Sequence, residues 1–436
     1  MNWNWKFRAV WMFCLGVNDM SREMKDSGIE WIGEIPKDWK ITKLKYLGTY
    51  INGYAFKPDD WGDTGLRIIR IQDLTGSNDK PNYYSGNLDN KYLIKKGDIL
   101  VSWAATLDAF IWKKDFGWLN QHIFKALPNK EIISPEYFFW LLKVVMENMN
   151  NDNKHGIFMQ HVTLDVFNNF ATPLPSKSEQ NKIHQFLQNK VDIINLLIEK
   201  TRLCMNDYKK MKETLVIQTV TKGIYSKRKM KNTNIEWLEE IPFDWKECRI
   251  KNVIFPVIKE VNDTDEIVTC FRDGVVTLRK NRREDGFTIS FTEKGYHGVE
   301  KDDLVIHGMD AFAGAIGCSD SRGKITPVVH VCKTTGNNRY FMYFLRSMAY
   351  GNILMDLSNG VRIRSSDYRN FAKLGIFRIC VPPIEEQNFI VEFLDKKVNE
   401  IEKIVEKKQM FCQELEAYKK SLIYEYVTGK KEVPEA

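Results

Sequence analysis

Apolar side chains recur at alternating steps of four and three along two stretches of this chain. In the first, the steps land on Leu187, Val191, Ile194, Ile198, Thr201, Met205, Tyr208, Lys212 and Leu215. In the second, 207 positions on, they land on Leu394, Val398, Ile401, Val405, Lys408, Cys412, Leu415, Lys419 and Leu422. This is the a/d pattern of a coiled-coil seam, so each stretch predicts a long helix. The polar breaks fall at the same two steps, Thr201 with Lys408 and Lys212 with Lys419, so the seams are matched to pack on each other. Leu187 to Leu215 covers 29 residues, which is about 43 Å of helix, so the pair predicts a spacer rod.

Residues 41–172 and 247–380 carry short alternating runs broken by Gly, Asn and Asp, the pattern of mixed α/β or mainly β domains. Leu66–Asp73 and Lys96–Trp103 read as strands in the first region, and Lys301–His307 stands in the corresponding place in the second. Each region ends in an aromatic helix, Pro135–Leu142 and Arg339–Leu345, whose helical spacing assigns the rings to a core rather than to a base-stacking platform.

An internal repeat organises these elements. Ile29–Lys40 (IEWIGEIPKDWK) returns as Ile235–Lys246 (IEWLEEIPFDWK), with nine identities in twelve. Glu179, Gln180, Phe186 and Leu187, which open the first long helix after Pro175, return as Glu386, Gln387, Phe393 and Leu394 after Pro383. The ends of the two halves match while the middles have diverged, so one frame holds two different domains. The predicted parts are domain 24–173, helix 174–222, a basic linker 223–234, domain 235–381, helix 382–430 and a tail 431–436. Equal domain-plus-helix halves favour antiparallel helices related by a pseudo-twofold axis, with the domains thrown to opposite ends of the rod, because that pairing is closed and reuses one surface.

Residues 1–23 read as a disordered extension from an upstream start codon, with Met20 or Met24 opening the first domain. Their apolar run Ala9–Val17 is too short to cross a bilayer, and no cleavage site follows it. With 436 residues, 43% hydrophobic, a net charge of +7 and eight single cysteines without a C-x-x-C, the chain reads as a cytoplasmic protein with reduced thiols and no membrane segment. The modest basic excess admits an anionic partner without requiring one.

Side chains suited to nucleic acid gather in the two middles. In the first they are Arg67, Arg70, Gln72 and Asp73 on one strand, followed by Lys113 and Lys114. In the second, Arg272, Arg279, Lys280, Arg282 and Arg283 crowd together, and Arg362 and Arg364 alternate after a glycine. Arg pairs bidentately with guanine and Gln with adenine, while Lys and Arg neutralise phosphate.

The duplicated IEWxxEIPxDW box, the Pro-x-x-Glu-Gln box opening each helix, the strand Lys96-Gly-Asp-Ile-Leu-Val-Ser102 and the ending Val427-Thr-Gly-Lys430 resemble the DNA specificity subunit of type I restriction-modification enzymes. The resemblance runs from about Met24 to Lys430. It implies an α/β (α+β) fold of two target recognition domains separated by two long helices in an antiparallel coiled coil. It also implies that each domain reads one half of a bipartite site in double-stranded DNA. The implied partners are two methyltransferase subunits and the restriction subunits, with S-adenosylmethionine, ATP and Mg bound by those partners and none by this chain. The second middle, with Arg272-Asp-Gly274 and Met309–Gly317, resembles a different recognition-domain subtype, so the half-sites are expected to differ. The first has Trp103-Ala-Ala-Thr-Leu107 where the family usually has a Gly-rich loop, so its loop geometry is expected to depart from that form.

No Asn/Asp-Pro-Pro-aromatic loop, Walker loop or H-E-x-x-H motif occurs in the sequence, which points to a non-catalytic subunit without a metal site. Two alternatives remain at this stage. A stand-alone DNA-modifying enzyme would methylate as the isolated chain, and a coiled-coil protein adaptor would have no sequence preference on DNA.

Overall fold

The computed structural model describes residues 22–77, 80–154, 163–225, 227–282, 294–356 and 368–434. Four longer helices carry the architecture: α1 (Pro135–Lys154), α2 (Lys177–Lys222), α3 (Asn338–Tyr350) and α4 (Ile384–Val427). The chain divides into two units, residues 1–199 with 412–436, and residues 200–411. Each unit therefore takes the start of one long helix and the end of the other.

In the first unit a four-stranded antiparallel sheet contains β1 (Gly48–Asn52), β2 (Ile99–Ser102), β3 (Asp108–Ile111) and β4 (Ile123–Pro128), in the order β1-β4-β2-β3. The second unit builds the same sheet from β5 (Ile254–Val257), β6 (Leu304–His307), β7 (Ile316–Cys318) and β8 (Val329–Thr334), in the order β5-β8-β6-β7. The predicted strands Lys96–Trp103 and Lys301–His307 thus supply the same central strand. The turn before it is also shared, since Gly97 and Asp302 both have positive φ (94° and 66°). Asp98 then pairs with Lys125 at 2.8 Å and Asp303 with Lys259 at 2.6 Å. A buried carboxylate at each turn needs such a partner.

The aromatic helices pack as cores. Tyr137, Phe138 and Leu141 of α1 and Tyr340, Phe341 and Phe344 of α3 are fully buried. In the second unit this core also takes Val216 and Val220 from the end of α2 and Ile390 and Leu394 from the start of α4. The units differ in their second layer. The first has a four-stranded sheet in which Leu66–Ile69 and Gly117–Leu119 run parallel, whereas the second has two separate hairpin-like pairs, Val268–Cys270 with Val276–Leu278 and His297–Val299 with Gly323–Ile325.

The long helices pair antiparallel within each unit. In the first, Phe186 meets Tyr426 with ring centroids 4.5 Å apart, and nearer the middle of α2 Asn195 accepts from Lys419 at 3.1 Å. In the second, Lys408 lies over Tyr208 at 5.9 Å and Lys212 donates to Glu402 at 3.1 Å. Every seam position of both helices is buried or half-buried. No described helix is long and apolar enough to cross a membrane.

Candidate nucleic-acid interface

The frame that holds each recognition surface is a duplicated polar cluster. Arg22 spans Asp38 (3.0 Å) and Glu179, and the Trp39 indole N–H donates to the same Glu179 at 2.8 Å. In the second unit Arg228 spans Asp244 and Glu386, and Trp245 donates to Glu386 at 2.9 Å. Each arginine also lies over its tryptophan ring, at 5.5 and 5.6 Å. The neighbouring glutamine closes the next turn. Gln180 accepts from Ser134 N at 2.8 Å and donates to the Pro175 carbonyl at 3.0 Å, and Gln387 does the same with Asn337 N (2.9 Å) and the Pro382 carbonyl (3.0 Å). The two boxes of the repeat therefore meet in space, and their Asp, Trp, Glu and Gln side chains fasten each domain to the first turn of its helix.

Arg22 lies just outside the expected boundary at residue 24, yet it completes this cluster. Its counterpart Arg228 stands at the repeat's own offset of 206, so extending the comparison upstream of Ile29 would have found the pair. Residues 1–21 lie outside the described residues.

The candidate reading residues separate by what they touch. In the first unit Arg67 is engaged by the buried carboxylate of Asp73, which also accepts from Arg70 N at 2.9 Å. That pair fixes the corner between the strand Leu66–Ile69 and the short helix Ile71–Thr75. Gln72 is exposed on that helix, and the Arg70 guanidinium lies 5.0 Å from the centre of the Trp61 ring. Lys113 and Lys114 are exposed, Lys114 over Trp112 at 5.9 Å. Asp73, Thr106, Lys113, Lys114 and Lys143 line one cleft of about 920 Å³ within this unit, so three of the sequence candidates come together there. The loop after β2 turns at Ala105, which has φ 57°, where the second unit's loop uses Gly314 at φ 92°.

In the second unit Arg272 pairs with Asp310 at 2.9 Å, Arg282 with Asp273, and Lys280 with Glu266. The Arg282 guanidinium has its pKa raised by the hydrogen bonds it donates to Asp273. Arg279 donates to Thr269 at 3.2 Å. Arg272 and Asp273 thus stand in the turn Phe271–Val275, which has Gly274 at φ 86°, and Arg282 joins it through Asp273. Asp310 brings the loop after β6 to this turn, a meeting that spacing alone did not reveal. Arg283, Arg362 and Arg364 lie outside the described residues. Among the described residues no group of three His, Cys, Asp or Glu is placed to hold a metal ion. The seven described cysteines are free thiols, and burial pushes Cys318 up to about 12.

Two unlike polar surfaces thus sit on one duplicated frame. Residues 36–203 match the family described as type I restriction modification DNA specificity domain. The chain is 23% identical over 293 residues to the EcoBI specificity subunit of Escherichia coli, covering 62% of this chain and 60% of that subunit. It is also 23% identical over 425 residues to the MjaVIII specificity subunit of Methanocaldococcus jannaschii, covering 91% of this chain and 93% of that one. A solved chain from a study of complex assembly and conformational transition of the type I R-M system superposes with a TM-score of 0.64 at 14% identity, covering 91% of this chain and 99% of the other, and so shares its fold. The matched domain and both relatives are alike in kind: the chain is similar to type I restriction-modification specificity subunits.

Proposed function

We propose that this chain is the DNA-recognition subunit of a type I restriction-modification complex, in which each unit reads one half of a bipartite target and the paired helices set the unread gap. The observation that carries this reading is the duplicated Arg-Asp-Glu-Trp cluster. It fastens two domains with different second layers to the starts of two helices that pair antiparallel. A frame repeated this closely under unlike surfaces suits one task performed on two different sequences. The chain is then a recognition component, and catalysis lies with its partners.

Those partners are two methyltransferase copies, which would dock on the duplicated frame, and restriction subunits. S-adenosylmethionine, ATP and Mg enter through them. Exposed Lys113 and Lys114 on the cleft rim, and the arginines around Phe271–Val275, supply phosphate and base contacts. Binding should weaken steeply with salt, because neutralised phosphates release counterions.

The test is methylome mapping of the host with and without this gene, followed by deletion of four residues from each long helix. The deletion removes about 6 Å of helix. The expected result is a changed spacer between unchanged half-sites. Half-site bases that change while the spacer stays fixed would overturn the ruler.

A further inference from the structure

Most candidate arginines in the described part of the molecule are held by carboxylates. Arg67 is taken by Asp73, whose side chain is fully buried, and Arg272 and Arg282 are taken by Asp310 and Asp273. Arg70 is placed differently. The described side chains give it no carboxylate partner, and its guanidinium instead lies over Trp61, an indole that is 42% exposed.

The local backbone makes this placement rigid. Trp61 closes the 3₁₀ turn Pro58–Asp60, its N–H donating to the Pro58 carbonyl at 3.2 Å, and Gly62 exchanges two 2.9 Å hydrogen bonds with Tyr83. On the other side Arg70 N is held by Asp73 at 2.9 Å, and Asp73 is itself pinned by Arg67. Both members of the stack therefore stand on fixed backbone. A guanidinium held over an aromatic face by cation–π attraction keeps its N–H donors for a ligand and loses little rotamer freedom on binding. Those donors match the N7 and O6 acceptors that guanine shows in the major groove.

We propose that Arg70 reads a guanine in the half-site of the first unit, and that Trp61 is a positioning residue that holds the guanidinium in its reading pose. This rests on the recognition function proposed above and deepens it. An ordinary phosphate contact would need charge alone, and the stack would then be incidental.

The experiment uses the chain assembled with its methyltransferase partners and duplexes carrying the mapped target. Arg70→Ala is expected to weaken cognate binding about 10- to 100-fold and to relax one guanine position in one half-site, leaving the other half-site intact. Replacing that guanine by 7-deazaguanine should penalise the native complex and leave the Arg70→Ala complex indifferent. Arg70→Lys, which keeps the charge, should lose the guanine preference while retaining binding to unrelated DNA. Trp61→Ala should blunt the same preference and Trp61→Phe should restore it. Uniform weakening on all sequences, rescue by Arg70→Lys, or a half-site without guanine at the affected position would each overturn the proposal while leaving bipartite recognition standing. Absence of any sequence preference in the native complex would instead remove the function on which it rests.

Discussion

Lys212 of α2 donates across the seam to Glu402 of α4 at 3.1 Å, and its repeat counterpart Lys419 donates to Asn195, the counterpart of Glu402, also at 3.1 Å. The second polar break of each heptad run is thus one contact made twice. An ion pair whose carboxylate is exposed, as Glu402 is, contributes little net stability, whereas a buried branched aliphatic contributes its full transfer and cavity terms. Lys212→Leu should therefore leave the thermal midpoint unchanged or raised. Ile194→Ala or Ile401→Ala, at seam positions only a few per cent exposed, should lower stability by about 2–4 kcal/mol in denaturant unfolding. A large loss from Lys212→Leu would mean that the lysine contact, rather than the apolar seam, dominates the pairing.

The Arg22–Glu179–Trp39 cluster yields a second prediction. Its charges are partly buried, with the Arg22 and Glu179 side chains 20% and 19% exposed, so removing one partner leaves the other desolvated and unpaired. Arg22→Met and Glu179→Gln should each cost about 1–3 kcal/mol, and the double variant should cost clearly less than the two losses added together. Arg228→Met and Glu386→Gln should show the same coupling. Additive losses in a double-mutant cycle would remove the claim that these residues act as one fastening.

Much of this architecture could be read from the sequence, and the reasons are physical. The seam positions repeat because a buried stripe on a helix demands it, and the boxes repeat because each carries a polar cluster whose members have few substitutes. What could not be read depends on contacts between distant side chains. Arg67 and Asp73 look like readers from their spacing, yet Asp73 is buried and holds Arg67 in a corner. Arg272 and Asp310 are 38 residues apart and nothing periodic links them. Of the second layers only the strand within Leu66–Asp73 was legible, and it gives way to a short helix at Ile71. The remaining strands are two or three residues long in the first unit and three in the second, too short for alternation to register. The reach of each helix end into a domain core was equally silent, because it depends on which helix crosses which unit.

Loop strain offers a third test. Ala105 and Asp302 hold φ values of 57° and 66°, where the equivalent positions of the other unit have glycine or a Gly-closed loop. A left-handed conformation costs a non-glycine residue roughly 1–2 kcal/mol, part of which glycine returns through its larger unfolded-state entropy. Ala105→Gly and Asp302→Gly should thus stabilise by up to about 1 kcal/mol, visible as a raised unfolding midpoint. A lowered midpoint would show that the side chains contribute contacts that outweigh the strain.

A fourth prediction concerns pH. The His307 Nδ1 accepts the backbone N–H groups of Met309 (3.2 Å) and Asp310 (3.1 Å), so this nitrogen carries no proton in the fold. Burial lowers the His307 pKa below 6.5; Asp310 pulls the other way, and Arg272 and His330 add to the lowering. The unfolded chain therefore binds the proton more readily. This contribution to stability is complete above the unfolded value and is lost as pH falls through the folded one. Thermal midpoints measured from about pH 8 down to pH 5.5 should fall more for the native chain than for His307→Gln, whose amide oxygen can keep accepting. Equal pH profiles would mean that His307 is not the group that titrates.

The last prediction concerns the chain's end, which completes the domain at its beginning. Within the first unit Tyr424 donates to the Trp31 carbonyl at 3.1 Å and Lys430 to the Glu34 carbonyl at 2.7 Å, while the Val427 carbonyl accepts from buried Tyr137 at 3.2 Å. Gly429, at φ 74°, lets the chain close on Pro36 and Trp39, where a Cβ would come within 2.4 Å of the proline ring. The end of α2 does the same service in the second unit, with the Val220 carbonyl accepting from Tyr340 at 3.3 Å. Removing residues after Ser421 strips the buried side chains Leu422, Ile423, Tyr426 and Val427 from the first unit. At about 1.5–3 kcal/mol for each buried side chain, the loss is large against a domain's few kcal/mol of stability. Hydrogen exchange on the truncated chain should show protection collapsing in residues 24–43 and 135–150 while the second unit's core around Phe341 and Phe344 keeps its protection. Loss spread evenly over both units would mean that the two cores unfold as one, and the domain-completing role of the C-terminal segment would have to be abandoned.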